Sequence, residues 1–131
     1  MRSEVTYSFE NVIAWQKAHI FVLYVYKITR HFPEDERFGL TSQFRRAAVS
    51  IEANIAEGYQ KLSKADKLRF FNIAQGSLEE CRDYHILSRD LGYLQSEEFE
   101  ALHQSIEVTS KFLNSYCKAI VNNVAITDYE Q

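Results

Sequence analysis

The sequence predicts an all-α protein built as an antiparallel up-down-up-down four-helix bundle. Apolar residues recur at helical spacing over long stretches, and the 131 residues include only one proline and four glycines. So few turn residues permit long helices and disfavour an all-β sandwich. The predicted connections after the second and third helices are short, which makes neighbouring helices antiparallel. We expect a single domain over residues 1–131, long enough to bury a sizeable core.

The first helix is predicted over about residues 11–31. It stops before Pro33, because proline cannot continue a helix and also restricts the backbone of Phe32. Residues 33–39 are expected to form a turn or a short helical piece.

The second helix is predicted over about residues 40–58. Thr41 or Ser42 is expected to cap its start, and Gly58 to end it in a left-handed conformation. Its side chains form an apolar stripe, which predicts core packing, and a small polar stripe, which predicts close approach of one specific helix. The apolar stripe contains Phe44, Ala48, Ile51 and Ile55, and the polar stripe contains Gln43, Ala47, Ser50, Asn54 and Glu57.

The third and fourth helices are predicted over about residues 63–91 and 96–122. Ser63 and Asp66 resemble a capping box at the start of the third helix. Gly92 is expected to end that helix, and two glutamates in the first turn of the fourth helix suit its dipole. The chain after residue 122 is polar and predicted to fray.

The first helix carries an apolar run, Ile20 to Tyr26, that covers its whole circumference. A helix of a four-helix bundle buries one stripe, so the remaining apolar surface requires a second partner. We therefore predict a homo-oligomer with Ile20, Leu23 and Tyr24 at the interface. The alternative is that the long tyrosines simply lie along the surface of a single subunit.

The expected location of the protein is the cytoplasm. The run in the first helix is far too short for a membrane span, and residues 1–7 lack the apolar core of a signal peptide. The two cysteines are too few for a disulfide framework. No membrane partner is inferred.

A polar network is predicted between the second and third helices. In an antiparallel pair that turns near residue 62, Arg46 would lie opposite Ser77 and Glu80. Such a network usually sets the register of two helices, so we interpret it as structural rather than as a ligand site. The residues assigned to it are Gln43, Arg46, Ser50, Asn54, Ser77 and Glu80.

The sequence predicts no catalytic residue, no metal site, no cofactor and no small-molecule substrate. A di-iron bundle needs two Glu-x-x-His motifs, and only Glu100 with His103 fits. Cys81 and His85 share a face of the third helix but have no matching partner motif. Cys81 and Cys117 are interpreted as core residues.

Basic residues cluster around the start of the third helix, although the chain has a net charge of -3. Positive charge at a helix N-terminus opposes the helix dipole, and it is explained if an anion such as a phosphate binds there. The alternative is a solvated charged turn. The residues predicted to bind nucleic acid are Lys61, Ser63, Lys64, Lys67, Arg69 and Arg45.

Three segments resemble a bacterial four-helix-bundle family. They are FENVIAWQKA, LTSQFRRAAVSIEANIAEGY and FFNIAQGSLEE, in that order along the chain. The family contains proteins encoded in 23S ribosomal RNA intervening sequences, and its members are often called S23 ribosomal proteins. The signature positions that match here are Gln43, Arg45, Arg46, Ser50, Asn54, Glu57, Gly58, Gly76, Ser77 and Glu80.

The resemblance implies an antiparallel four-helix bundle that assembles into a homopentameric ring. The chain is also distantly similar to the accessory variability protein of diversity-generating retroelements, which forms a basic pentameric barrel and works with a reverse transcriptase and nucleic acid. The acidic balance of this chain departs from that branch. The resemblance implies no catalytic role for the signature positions.

Two functions follow as hypotheses. The first is a non-enzymatic oligomeric accessory protein that binds RNA or a ribonucleoprotein through the basic residues, with affinity that falls steeply as salt rises. The second is a protein-interaction scaffold without nucleic-acid binding, whose association with a protein partner is insensitive to salt.

Overall fold

The computed structural model describes residues 8–122 and contains four α-helices. The expectations for residues 1–7 and for the chain after residue 122 lie outside the described residues. No strand occurs between residues 8 and 122, and the prediction of an all-α protein with four helices is confirmed. The helices are α1 (Ile13–Thr29), α2 (Leu40–Tyr59), α3 (Lys64–Asp90) and α4 (Ser96–Val121), with 3-10 turns at Phe9–Asn11 and Glu34–Glu36.

Each helix packs against two others. Both α1 and α3 contact α2 and α4, so α1 and α3 occupy opposite corners of the arrangement. Between α2 and α3, the ring of Phe44 contacts Tyr84 and Ser50 contacts Ser77, so residue numbers rise along one helix as they fall along the other. The contacts of α1 with α2 and of α3 with α4 follow the same opposite order.

The apolar stripe of α2 forms the centre of the core. Phe44, Ala48, Ile51 and Ile55 are all fully buried, as predicted. Each of the other helices contributes large buried side chains at helical spacing, which joins all four elements in one core. These side chains are Phe21 and Val25 on α1, Phe71 and Leu78 on α3, and Leu102, Ile106 and Leu113 on α4.

The start of α2 differs from the prediction. The helix begins at Leu40, and its backbone N–H donates to Glu36 Oε1 over 3.0 Å, so Thr41 and Ser42 do not cap it. The hydroxyl of Tyr93 donates to the other oxygen of Glu36 over 2.8 Å. These two hydrogen bonds, the first being the larger cause, lower the pKa of Glu36. The 3-10 turn before α2 brings this longer acidic side chain back to the helix start.

Gly58 lies inside α2 and does not end it in a left-handed conformation, so that prediction is wrong. Among the glycines, a positive φ occurs at Gly92, where φ is 81° and α3 has ended as predicted. A Cβ built on Gly58 would lie 2.6 Å from Cε1 of Phe71, which is fully buried in the core. The glycine is therefore required by the close packing of α2 against α3 rather than by backbone conformation.

The starts of α3 and α4 are capped by side chains. The Ser63 hydroxyl accepts a hydrogen bond from the Asp66 N–H over 3.1 Å, which confirms the predicted cap of α3. At α4, Gln95 and Glu98 bond to each other's backbone N–H groups and form a capping box.

Replacing Gly58 with alanine should destabilise the fold, although alanine favours helices. The added methyl collides with a core ring, and overpacking of this kind costs about 1–3 kcal/mol against a propensity gain of about 1 kcal/mol. Chemical denaturation measures the net change in the free energy of unfolding. The penalty should be smaller in a Phe71→Leu background, because leucine lacks the colliding ring atoms. A Gly58→Ala protein more stable than wild type would contradict this account of the α2–α3 contact.

Candidate functional site

The basic residues predicted to bind nucleic acid meet at the end of the bundle where α2 stops and α3 starts. Nζ of Lys67 lies 2.5 Å from the carbonyl oxygen of Tyr59 and 3.5 Å from that of Gly58, at the end of α2. Partial burial lowers the pKa of Lys67. Nζ of Lys64 donates to the carbonyl oxygen of Val121, at the end of α4, over 3.2 Å. Both lysines therefore bind terminal carbonyl groups of neighbouring helices.

These contacts explain why cations stand at the start of α3, where its own dipole disfavours them. The start of α3 lies beside the ends of α2 and α4, whose terminal carbonyl oxygens carry partial negative charge. Lys64 and Lys67 stabilise those ends, so an anionic ligand is not required to account for their position. The hydroxyl of Ser63 is used by the cap of α3.

Phe70 lies between the two remaining cations of this end. The guanidinium of Arg69 is 4.5 Å from the centroid of the Phe70 ring, and the ammonium of Lys61 is 5.0 Å from it. Each cation also faces a carboxylate: Lys61 Nζ is 3.2 Å from Glu57, and Arg69 Nε is 4.0 Å from Asp66. Because these ion pairs are exposed, they hold the side chains only weakly. We call Lys61, Lys64, Lys67 and Arg69 the basic end.

Arg45 does not join the basic end, which corrects its assignment to that group. Its Nε donates to Thr29 Oγ1 over 2.8 Å, and its guanidinium lies 4.6 Å from the centroid of the Tyr26 ring. Arg45 therefore binds the last turn of α1. From Arg45 to the end of α2 at Tyr59 the helix rises about 21 Å, so the two sites lie far apart.

The predicted polar network is present in part. The hydroxyls of Ser50 and Ser77 are 2.7 Å apart, and the Asn54 side-chain amide donates to the Ser50 hydroxyl over 3.1 Å. Ser77 is buried, so this bond satisfies a polar group inside the α2–α3 contact. Within residues 8–122 no hydrogen bond or ion pair links Arg46 to Glu80, and both side chains are exposed. Their assignment to the network is corrected.

Gln43 is likewise exposed and has no side-chain hydrogen bond to another described residue, so it also lies outside the network. The physical reason is the register of α2 against α3. In this register the small hydroxyls of Ser50 and Ser77 meet, and the longer side chains of the same stripe project past the contact into solvent.

A cleft of about 390 Å³ between α3 and α4 brings together residues that the sequence offered only as separate pairs. His85 is buried, and its ring stacks on Phe99 with centroids 3.9 Å apart. Its Nε2 lies 2.9 Å from the carbonyl oxygen of Phe99; since a carbonyl only accepts, Nε2 carries the proton. Burial is the main cause that lowers the pKa of His85, so the ring is neutral at pH 7 and ties α3 to the start of α4.

The charged side chains of this cleft are mostly engaged with one another. Arg82 forms ion pairs with Glu79 and Glu107, and hydrogen bonding to Arg82 lowers the pKa of Glu107. The guanidinium of Arg89 lies 5.0 Å from the centroid of the Phe99 ring. Helical spacing alone identifies neither contact, because the partners stand on different helices. Within the described chain, no three His, Cys, Asp or Glu side chains are grouped so that they could hold a metal ion.

The two cysteines are free, and neither is an activated nucleophile. Cys81 is buried, and its burial raises the pKa of its thiol. Burial raises the pKa of Cys117 to about 11. Both thiols are therefore protonated at neutral pH, whereas catalytic cysteines need a lowered pKa.

The outer side of α1 presents exposed apolar residues in the single chain. Ile20 is 56% exposed and Leu23 is 58% exposed, whereas Tyr24 is half-buried. Gln16, Ile20, Leu23 and Lys27 follow one another at helical spacing, and all four are exposed. We call these four residues the α1 ridge. Beside it, Ile20 and Tyr24 line a groove of about 300 Å³ between α1 and α4.

None of the helices in the described part of the chain combines the length and the apolar character needed to cross a membrane.

Comparisons with known proteins agree with the resemblance noted in the sequence. The family model described as 23S rRNA-intervening sequence protein matches residues 10–115, which is most of the chain. No curated protein matches the sequence.

A solved structure of similar fold comes from Bacteroides thetaiotaomicron and is described as a protein with unknown function from the S23 ribosomal protein family. It is 26% identical to this chain and superposes with a TM-score of 0.74. The match covers 80% of this chain and 98% of that protein. Together with the family match over residues 10–115, this similarity establishes that the chain belongs to the 23S rRNA-intervening sequence protein family.

Proposed function

We propose that this protein is a non-enzymatic accessory protein that acts as a homo-oligomer, a pentameric ring being the favoured assembly. The observation that carries the proposal is the α1 ridge, where Ile20 and Leu23 are each more than half exposed in the single chain. Exposed apolar residues in a contiguous stripe mark interaction sites. A second copy that covers the ridge removes this surface from water, which favours association by about 25 cal/mol for each Å² buried.

The proposal takes the four helices as an up-down-up-down bundle. Opposite residue order in the contacts of consecutive helices supports this arrangement. The neutral His85 and the protonated thiols support a role without covalent catalysis. The unpaired cysteines also favour a reducing compartment, and we propose the cytoplasm as the location.

We further propose that the basic end binds RNA or a ribonucleoprotein. Lys64 and Arg69 are exposed there, and Arg69 lies over Phe70. Cations around an aromatic ring are typical of surfaces that bind single-stranded nucleic acid. The family match to proteins of 23S rRNA intervening sequences favours RNA over DNA as the ligand. A scaffold that binds only protein remains the rival function.

Leu23→Asp should dissociate the assembly into folded single chains. Leu23 is 58% exposed in the chain alone, so aspartate leaves the bundle intact, but it places a charge in the covered interface. Light scattering coupled to size-exclusion chromatography measures the mass, and circular dichroism measures the helix content.

The matched control is Ile86→Asp. Ile86 is 46% exposed on α3, away from the α1 ridge, and this variant should keep the wild-type mass. A wild-type protein that runs as a monomer at all concentrations would contradict the oligomer, and so would a Leu23→Asp variant of unchanged mass.

The double charge reversal Lys64→Glu/Arg69→Glu should weaken binding to a fragment of 23S rRNA. Each lost phosphate contact should make the log–log dependence of affinity on salt less steep by about 0.7–0.9. Filter binding or fluorescence anisotropy across a salt series measures the slope. Lys67 is left intact because it caps α2.

The control Arg30→Glu/Arg37→Glu makes the same change in net charge with two exposed arginines around the end of α1. It should keep the slope near that of the wild type. Equal losses in both variants would assign the effect to net charge alone. Wild-type protein that does not retain RNA even at low salt, yet binds a protein partner without salt dependence, would favour the scaffold.

A further inference from the structure

Gly76 lies in the interior of α3, on its exposed side. A glycine at such a position costs about 1 kcal/mol relative to alanine. At Gly58 this cost has a cause inside the chain, because Phe71 leaves no room for a Cβ. A Cβ on Gly76 would meet no atom of the described chain within 4 Å. A glycine on an open helix surface suits a place where another backbone approaches closely.

Gly76 lies within a surface formed by two exposed stripes on neighbouring helices. We call this surface the α2/α3 face. It includes Val49, which is 38% exposed, and Ile73, which is 44% exposed. Its small residues, Ala53 and Gly76, make the surface shallow between them. The stripes are Arg46, Val49, Ala53 and Glu57 on α2, and Ile73, Gly76, Glu80 and Asp83 on α3.

The charges of the α2/α3 face complement those of the α1 ridge. Within residues 8–122, Glu80 and Asp83 form no ion pair, whereas the neighbouring Glu79 is paired with Arg82. The ionic side chains of α1 are Lys17 and Lys27, and no acidic residue occurs between positions 13 and 29. Arg46 adds one cation to the α2/α3 face, so the complementarity rests on the two unpaired carboxylates.

The α1 ridge and the α2/α3 face lie on different sides of the bundle. Because α1 and α3 occupy opposite corners, one chain cannot cover its own face with its own ridge. The ridge is a single projecting helix with two large apolar side chains, and the face is a shallow surface with a glycine near its centre.

We propose that the α1 ridge of one copy docks on the α2/α3 face of the next copy, with Leu23 near Gly76. This inference rests on the proposed oligomer and specifies its contact. A head-to-tail contact covers both apolar surfaces of every subunit and leads to a closed ring. A symmetric contact between two α1 ridges would cover the ridge and leave the α2/α3 face exposed to water.

The test mixes two variants that each lack one side of the contact. Leu23→Asp damages the ridge, and Gly76→Arg blocks the α2/α3 face with a long side chain. Each variant alone should be a folded monomer by sedimentation velocity. Mixed in equal amounts, they should form a complex of two chains and no larger species, because one intact ridge meets one intact face.

Two results would overturn the proposal. One is a Gly76→Arg variant that keeps the wild-type mass, as a symmetric ridge contact requires. The other is a mixture in which no two-chain complex forms at the highest concentration where each variant alone stays monomeric. In both cases a wild-type oligomer that Leu23→Asp dissociates keeps the proposed oligomer valid, whereas a monomeric wild type removes the oligomer itself.

Glu80→Lys serves as a second block of the face if Gly76→Arg loses helix content. Glu80 is exposed, so lysine should leave the bundle folded and should repel Lys17 and Lys27 of the next copy. Combining Glu80→Lys with Lys27→Glu in one chain should restore at least part of the wild-type assembly. Ile86→Asp, outside both surfaces, should assemble like wild type. A Glu80→Lys variant of unchanged mass would contradict the proposal.

Discussion

The close packing of α2 against α3 is the constraint on which the rest of this structure depends. A Cβ on Gly58 would meet the ring of Phe71, and the hydroxyls of Ser50 and Ser77 lie 2.7 Å apart, so neither helix can slide along the other without a collision or an unsatisfied buried hydroxyl. This register aims Phe44 and Phe71 into the common core. It also brings the end of α2 next to the start of α3, where Lys67 binds the last carbonyl groups of α2.

The basic end illustrates how tertiary structure changes the meaning of a charge pattern. Considered on one helix, lysines at the start of α3 are unfavourable and suggest a bound anion. In the bundle the same lysines face the negative ends of α2 and α4. The cations that retain exposure, Lys64 and Arg69, are those with weak partners, and any nucleic acid bound at this end must compete only for those contacts.

The outer surfaces of α1 and of the α2–α3 pair share a property that links architecture to function. Each presents large apolar side chains to solvent together with charges that have no partner in the described chain. The polar α3/α4 cleft differs, since its ion pairs and its stacked His85 are already engaged. The surfaces that lack partners are therefore better suited to binding macromolecules than to chemistry.

Helical periodicity and punctuation in the sequence were sufficient to determine four helices and the buried stripe of α2. Ser63 and Gly92 mark boundaries correctly because a cap and a positive φ depend on only a few neighbouring residues. Gly58 was misjudged because its role depends on Phe71, which is distant in sequence, and Glu36 was missed as the cap of α2 because a 3-10 turn returns it there. Only the tertiary structure decided that Ser50 and Ser77 bond while Arg46 and Glu80 remain exposed, that Arg45 binds α1, and that His85 meets Phe99. The physical reason is that local backbone preferences are encoded within a few residues, whereas the pairing of side chains on different helices follows from the register and rotation that packing selects.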